Sequence, residues 1–284
     1  MSLEAAVARV TGRDVASLRR VGGGDINDAY LAELAGGRAF VKTRADAPAG
    51  EYEAEAAALR WLGEPGGVCV PEVLGASDEL LALEWLDEGG AGDEADLGRD
   101  LAIVHQAGAV TFGAAVPAAD SPGAAAPLRI ARLALPNEPS DDWPSFYAEQ
   151  RLRPLLEPAR LSAAGTRAVE AVCDRIDDLA GPPEPPARLH GDLWSGNVLW
   201  SDGRPYVIDP ISYGGHREVD LAMLQLFGSP GRRFFAAYEE IAPLADGWRD
   251  RVGLYQLFPL LVHAALFGGG YAASVERIAR QYAA

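Results

Sequence analysis

Two cysteines in 284 residues are too few to staple a fold. Cys69 and Cys173 each lie in an apolar run, Val68-Cys69-Val70 and Ala171-Val172-Cys173. They read as buried free thiols, not as a disulfide or a zinc site. Basic charge is also scarce. The formal net charge is -16, and the Lys and Arg side chains are scattered, so no patch suits a nucleic-acid backbone and no such partner is expected. Long hydrophobic runs are missing too. The longest, from Leu257 to Gly270, contains Pro259 and His263 and falls short of a bilayer's thickness, so no membrane partner is expected. Glu4 and Arg9 interrupt the N-terminal stretch, which argues against a signal peptide and for a cytoplasmic location. No internal repeat is visible. With 49% hydrophobic and 23% charged residues, the composition fits a folded domain able to bury a sizeable core.

Against these absences stands one dense polar segment. Leu189-His190-Gly191-Asp192-Leu193-Trp194-Ser195-Gly196-Asn197 leads through a short strand–turn–strand to Tyr206-Val207-Ile208-Asp209. The order acid, amide five residues on, then acid is the order a kinase catalytic loop needs. Asp192 would orient the attacking hydroxyl and take its proton. Asn197 and Asp209 would offer hard oxygens to Mg²⁺ on the phosphates of ATP. Asp and Asn are also common turn formers beside a hairpin, so the rest of the chain has to support the reading.

The order of elements does so. Residues 1 to 85 read as a β-rich half with a single helix. Val15 to Val21 and Ala29 to Leu34 flank the cluster Gly22-Gly23-Gly24-Asp25-Ile26-Asn27. Arg38 to Lys42 follows as a third strand, Glu51 to Leu62 as the helix, and Val70 to Leu74 and Leu80 to Trp85 as the last two strands. Asp87 to Gly92 reads as a flexible acidic, glycine-rich connector. Helical patterns then run from Ala95 to Ala107, Trp143 to Leu156, Thr166 to Leu179, Glu218 to Phe227, Arg232 to Ile241, Trp248 to Phe267 and Tyr271 to Tyr282. Ala114 to Pro127 is a low-complexity Ala/Pro loop, and the Pro-rich stretch from Gly181 to Pro186 is a stiff lead into the catalytic segment. The expected fold is α+β and two-lobed, like that of protein kinases. Residues 1–86 would form a nucleotide lobe of five antiparallel strands and one helix, 87–92 a hinge, and 93–284 a mainly helical lobe holding the catalytic loop and acceptor site.

Each remaining site residue is placed by its position in that order. Gly22, Gly23 and Gly24, with Asn27, could cover phosphates with backbone N–H groups, although the cluster departs from G-x-G-x-x-G and by itself is equally a hairpin turn. Lys42, ending a strand, would reach the phosphates. Its carboxylate partner is Glu55 or Glu53; Glu55 is favoured because it precedes Leu59 and Leu62 by four and seven residues on the inward stripe. Glu84 and Leu86, where the chain leaves the fifth strand, are expected to border the nucleotide. His190 reads as a structural hydrogen-bonder between the catalytic and metal loops, and Asp220 as a brace accepting backbone N–H bonds. His105 and His263 read as packed in helices. Asp209-Pro210-Ile211 stands where protein kinases carry D-F-G, and a helix follows within a few residues, leaving no segment for a peptide to dock on. A small-molecule acceptor is expected. Trp194, His216 and Glu218 are its candidate contacts; if they prove structural, with Trp194 packed under the loop and Glu218 a helix-start charge, recognition is expected on the C-terminal helices near Tyr255, His263 and Tyr271.

Several segments together resemble the fructosamine/ketosamine-3-kinase family. They are Gly22 to Tyr30, Tyr52-Glu53-Ala54-Glu55-Ala56, Phe112-Gly113, Trp143 with Phe146, Arg151-Leu152, the Trp194-Ser195 pair within the catalytic loop, Tyr213 to Met223, Tyr255-Gln256-Leu257, His263 and Phe267 to Tyr271. The resemblance implies ATP-dependent phosphorylation of the sugar 3-hydroxyl of a ketosamine, free or on a glycated lysine, and a role in deglycation. The glycine loop lacks the cysteine that some members use for redox-sensitive dimerisation, so that control is not expected. Two other readings remain at this point: an aminoglycoside-, choline- or homoserine-type phosphotransferase of the same fold, which usually lacks the Trp-Ser pair, and an inactive nucleotide-binding module, which would have lost Asp192, Asn197 or Asp209.

Overall fold

In the computed structural model the described residues are 2–22, 27–113 and 127–283. Gly23, Gly24 and nearly all of the Ala/Pro loop lie outside them. The chain opens with a helix, α1 (Leu3–Thr11), whose first turn is capped by Ser2 and whose end is closed by Gly12 at φ +66°. This helix is absent from the sequence reading, which gave the N-terminal half one helix. Next come β1 (Val15–Val21), β2 (Asp28–Leu34), β3 (Gly37–Thr43), α2 (Glu51–Gly63), β4 (Val73–Ser77) and β5 (Leu80–Glu84). They form a five-stranded sheet in the order β1-β2-β3-β5-β4, antiparallel throughout. The fourth strand starts three residues later than expected, after Pro71, which has no N–H for a ladder.

The sheet is covered on both faces, and strand alternation sorts its side chains between the two helices. Ala39, Val41, Leu80 and Ala82 pack with Ala6 and Val7 of α1. Leu81 and Leu83 pack with Tyr52, Ala56 and Leu59 of α2, and Phe40 joins them. Lys42 pairs across β3 and β5 with Leu81, so its side chain shares the α2 face. The register thus aims the lysine at α2.

The connector after β5 is tied down, contrary to the flexible linker expected. Arg38 Nη2 bonds Asp87 at 2.5 Å, the Asp87 carbonyl accepts from Ser201 Oγ at 2.8 Å, and Gly89 N–H donates to the Trp200 carbonyl at 2.8 Å. A Cβ at Gly92 would fall 1.7 Å from the Trp200 ring, so only glycine lets the chain cross that indole.

The remaining elements are α3 (Glu94–Ala107), β6 (Leu128–Ile130), β7 (Leu133–Leu135), α4 (Trp143–Tyr147), α5 (Ala163–Asp174), α6 (Ile176–Leu179), β8 (Ala187–Leu189), β9 (Val198–Ser201), β10 (Arg204–Val207), β11 (Tyr213–Gly215), α7 (Glu218–Leu224), α8 (Arg232–Ile241), α9 (Trp248–Phe267) and α10 (Gly270–Tyr282). Two expected helices are broken. Trp143 to Leu156 is a single α-turn followed by π and 3₁₀ turns ending at Leu155, where Pro154 removes a donor. The next begins earlier, at the Ser162 cap, and breaks at Arg175. The large core gathers α4, α5, α9 and α10 around β8 and β11, and a second core packs α3 and α8 beneath Leu193 and Val207. Both support the loop between β8 and β9.

Candidate active site

The loop after β8 is shaped by one buried carboxylate. Asp220, in the first turn of α7, accepts the His190 N–H at 2.7 Å and the Gly191 N–H at 2.9 Å, and is itself met by His105 Nε2 at 3.3 Å. Gly191 has φ +84°, and a Cβ there would stand 2.1 Å from the Ile211 carbonyl oxygen, so the turn demands glycine. His190 Nε2–H donates to the Ile208 carbonyl at 2.9 Å, and its Nδ1 accepts the Asp192 N–H at 3.3 Å. Burial lowers the His190 pKa, in keeping with a neutral ring in that tautomer. The loop carrying Asp192 and the segment after β10 that leads to Asp209 are thereby joined.

Asp192 sits where those ties aim it. Asn197 Nδ2 donates to the Asp192 carbonyl at 2.8 Å and to Oδ2 at 3.2 Å. Burial pushes the Asp192 carboxyl up to about 6, with His263 and Asn197 opposing the shift. On one side of it lies a charged cluster. Lys42 Nζ bonds Glu55 at 2.8 and 3.1 Å and Asp209 Oδ1 at 3.0 Å. Burial draws the lysine pKa down, but the two carboxylates more than reverse this and hold it well above its usual value. Burial raises Glu55 to about 7. Asp209 has φ +54°, an uncommon conformation for a residue with a side chain, and its carboxylate remains 45% exposed. Asn27 Oδ1 accepts from the Tyr52 hydroxyl at 3.0 Å, tying the end of the glycine segment to α2. Glu84 and Leu86, half-buried, lie where β5 enters the connector.

Lys42 carries a signal the sequence reading did not use: it is the only lysine among the chain's 25 basic residues. Arginine serves everywhere else. A compact ammonium that can be shared among several oxygens is kept at this position alone.

On the other side of Asp192 the surroundings change to apolar and aromatic. Gly191, Asp192, Ile130, Ile211, Phe258, Pro259, Val262 and His263 line a recess. His263 is therefore not simply packed within its helix, as expected, but half-buried beside the catalytic loop. Its Nδ1 lies 2.7 Å from the Pro259 carbonyl, one turn earlier in α9. Its ring also lies 5.1 Å from Phe227 and 5.0 Å from Tyr271. Phe227 in turn meets Trp194 edge-on at 5.9 Å. Trp194, 37% exposed, lies over Gly196, where a Cβ would be 2.3 Å from the indole. The Trp-Ser-Gly-Asn order thus has a steric reason. Phe227 was expected inside a helix, but α7 stops at Leu224 and frees it.

Two expected acceptor contacts lie elsewhere. Glu218 is 3% exposed and clamped by Arg251 at 2.6 and 2.9 Å. His216 is buried, stacked on Tyr255 at 5.3 Å with 15° between planes, and 5.9 Å from Trp143. Burial depresses its pKa to about 4. Strand β11 carries the chain away from the cleft into the core, so neither side chain is free to meet an acceptor. Proximity to Asp209 in sequence was misleading.

Lys42 with Glu55, and Asp192, Asn197 and Asp209 beside them, lie between a five-stranded sheet and a helical body, the arrangement of an ATP-dependent phosphotransferase of the protein-kinase-like class. Macrolide 2'-phosphotransferase type I shows the same fold, with a TM-score of 0.63 at 20% identity, covering 97% of this chain and 94% of that one. The fructosamine kinase family model matches residues 2–284, and the chain belongs to that family. It is 33% identical to the chloroplastic protein-ribulosamine 3-kinase of Arabidopsis thaliana over 279 residues, 94% of this chain and 83% of that protein. A crystal structure from Thermobifida fusca, provisionally named a fructosamine-3-kinase, superposes with a TM-score of 0.90 at 47% identity, covering 99% of this chain and 98% of that one.

Proposed function

We propose that this chain transfers the γ-phosphoryl group of ATP to the sugar 3-hydroxyl of a ketosamine, the rearranged adduct of a reducing sugar on a small amine or a lysine side chain. The observation that carries the reading is the position of Asp192, between the Lys42–Glu55–Asp209 charge cluster on one side and an aromatic recess on the other. The names borne by the relatives supply the sugar class. Asp192 accepts the hydroxyl proton as the sugar oxygen bonds to the γ-phosphorus. The bond from that phosphorus to the β,γ-bridging oxygen breaks, and ADP leaves. The transition state is loose, so positioning matters more than base strength, and a carboxylate ionised above about pH 6 suffices.

Lys42, released in part from Asp209, neutralises phosphate charge, while Glu55 keeps it aimed. Gly22 and Asn27 border the phosphates, and Glu84 and Leu86 border the base; Gly23 and Gly24 belong to the same segment but lie outside the described residues. The donor set fits Mg²⁺. Both hydrogen bonds of the Asn197 amide use Nδ2, which leaves Oδ1, and Asp209 supplies an exposed carboxylate. Among the described residues no group of three or more His, Cys, Asp or Glu could hold a metal. This suits an ion that takes few protein ligands and completes its shell with phosphate and water. When bound, Mg²⁺ would offset the charge of the phosphate oxygens. On this reading residues 1–86 serve the nucleotide, 87–92 join the halves, and 93–284 carry catalysis and the acceptor.

Trp194, Phe227, His263 and Tyr271 take the acceptor. With Nδ1–H given to the Pro259 carbonyl, Nε2 of His263 is the ring nitrogen left for a sugar hydroxyl. The aromatic faces pack on the sugar's C–H surface. The test is ATP consumption against ribulosamine- and fructosamine-lysine and a panel of aminoglycosides, with NMR to locate the phosphate. Phosphate at the 3-position of a ketosamine is expected. Turnover of aminoglycosides with none of ketosamines would overturn the reading.

A further inference from the structure

The hairpin β6–β7 forms part of the recess beside Asp192, and nothing in the phosphoryl-transfer chemistry accounts for how firmly it is held. It turns through two residues, with Ala131 at φ +52°, an unfavourable conformation for alanine. Arg132, the second turn residue, reaches across to α9. Its Nη2 donates to the carbonyls of Ala265 at 2.7 Å and Leu266 at 2.9 Å. These belong to the last turn of the helix, where carbonyls lack intrahelical partners and a cation is favoured. The other end of the hairpin is fixed independently. Arg151, fully buried, donates to the Pro136 carbonyl and to Asn137 Oδ1, both at 2.7 Å.

Between these anchors, Leu128 and Ile130 share one face of β6. Leu128 is buried in the core, and Ile130, packed against the same core but only partly buried, also lines the recess beside Asp192 and His263. The recess has a volume of about 20 Å³, room for little more than one water. The amine end of an adduct carries the bulky substituent and has to point to solvent. With the 3-hydroxyl at Asp192, the sugar carbons beyond C3 then run toward Ile130.

We propose that Ile130, held in place by the Arg132 clamp on the end of α9, is the residue that selects sugar length, discriminating a five-carbon from a six-carbon ketose adduct. This rests on the ketosamine reading above. Ile130 acts by steric contact, and Arg132 is a positioning residue. The test compares kcat/KM for ribulosamine and fructosamine adducts of the same lysine derivative in wild type, Ile130→Val, Ile130→Ala, Arg132→Ala and Arg132→Lys, with ATP KM and Tm measured for each. Ile130→Ala should move the fructosamine-to-ribulosamine ratio at least about tenfold toward fructosamine, and Ile130→Val should move it part of the way, since single methylenes discriminate by about 10–200-fold. Arg132→Ala should raise KM for both adducts, with ATP KM constant within twofold and partial recovery in Arg132→Lys. A ratio unchanged in both Ile130 variants, or an Arg132→Ala effect confined to Tm, overturns the proposal. If wild type phosphorylates neither adduct, the ketosamine reading fails and this inference falls with it. If wild type is active and the ratio does not move, only the inference fails.

Discussion

The two sides of Asp192 are built on opposite principles. The side we assign to the nucleotide is a set of charges: Lys42 within 3.1 Å of three carboxylate oxygens, with Glu55 and Asp209 supplying them. The side we assign to the acceptor is a row of rings, Trp194, Phe227, His263 and Tyr271, spaced 5.0 to 5.9 Å apart and joined to an apolar recess. Phosphate charge is the same in every reaction of the class, so its counter-charges stand at positions tied to regular elements, a strand end and a helix stripe. A sugar presents weakly polar surface, and packing area can be drawn from any element that reaches the cleft. Here it comes from a catalytic turn, the end of a broken helix, a hairpin and two C-terminal helices.

Asp192→Asn strikes the boundary between the two sides and should have the largest effect. We expect kcat to fall by about 10²–10⁴ with ATP binding preserved, as for loss of a group acting on the acceptor proton. The same variant should melt higher at pH 7. Burial raises the folded-state carboxyl to about 6, above its unfolded value, so charging it costs stability as pH rises from about 4 through 6. The gain, of order 1 kcal/mol after allowing for solvent access, should vanish below pH 4. Calorimetry at pH 4 and 7 checks it; an equal or lower Tm at pH 7 would remove the buried-charge account.

Lys42→Met should break the nucleotide side alone. ATP KM should rise and kcat fall about a hundredfold, a typical loss for one charge-stabilising donor, while acceptor KM holds. Because Lys42 is the chain's one lysine, an amine-acylating reagent should modify a single side chain, and ATP should protect it. Labelling insensitive to ATP would detach Lys42 from the phosphates.

Acidity should act next. With acceptor below KM, the rate should fall about tenfold per pH unit below about 6, as Asp192 takes up its proton, and level off above it. The Asp209 variant tests a different link: Asp209→Ala should lose metal-dependent nucleotide binding together with activity, measured by titrating Mg²⁺ against ATP binding. A metal dependence equal to wild type would reassign that carboxylate.

The sharpest contrast has the smallest kinetic effect. Trp194→Ala and His263→Ala should each raise acceptor KM about tenfold at constant ATP KM, the value of one partly buried ring. His216→Ala should do the reverse, leaving both KM values in place and lowering Tm by roughly 5–10 °C through the cavity it leaves beside Trp143 and Tyr255. An acceptor effect in His216→Ala would return that residue to the cleft.

Much of the charged side was legible in the sequence because its parts come in short, ordered motifs. His190 and Asp220 stand in the structure as bracing partners of the catalytic loop, and Lys42 meets Glu55 and not Glu53, as the helix stripe implied. On the aromatic side the sequence pointed to Trp194 first, and to the helices near His263 and Tyr271 only as a fallback. His216 and Glu218 follow the metal loop closely in sequence, yet three residues of β11 turn them into the core. His263 looked like a packed helical histidine because its helix is apolar on most faces, and only the position of α9 against Gly191 and Asp192 exposes one of them to the cleft.

The sequence by itself determined the class of fold and the order of the polar groups from Lys42 to Asp209, because strand alternation, helix periodicity and motif spacing act over a few residues; the family came from the resemblance of whole segments. The tertiary structure alone decided the first helix's place on the sheet, the pinning of the connector, and which side chains line the recess beside Asp192. Those depend on contacts between segments far apart in the chain, such as Ile130, Trp194 and His263, whose distances no local spacing sets.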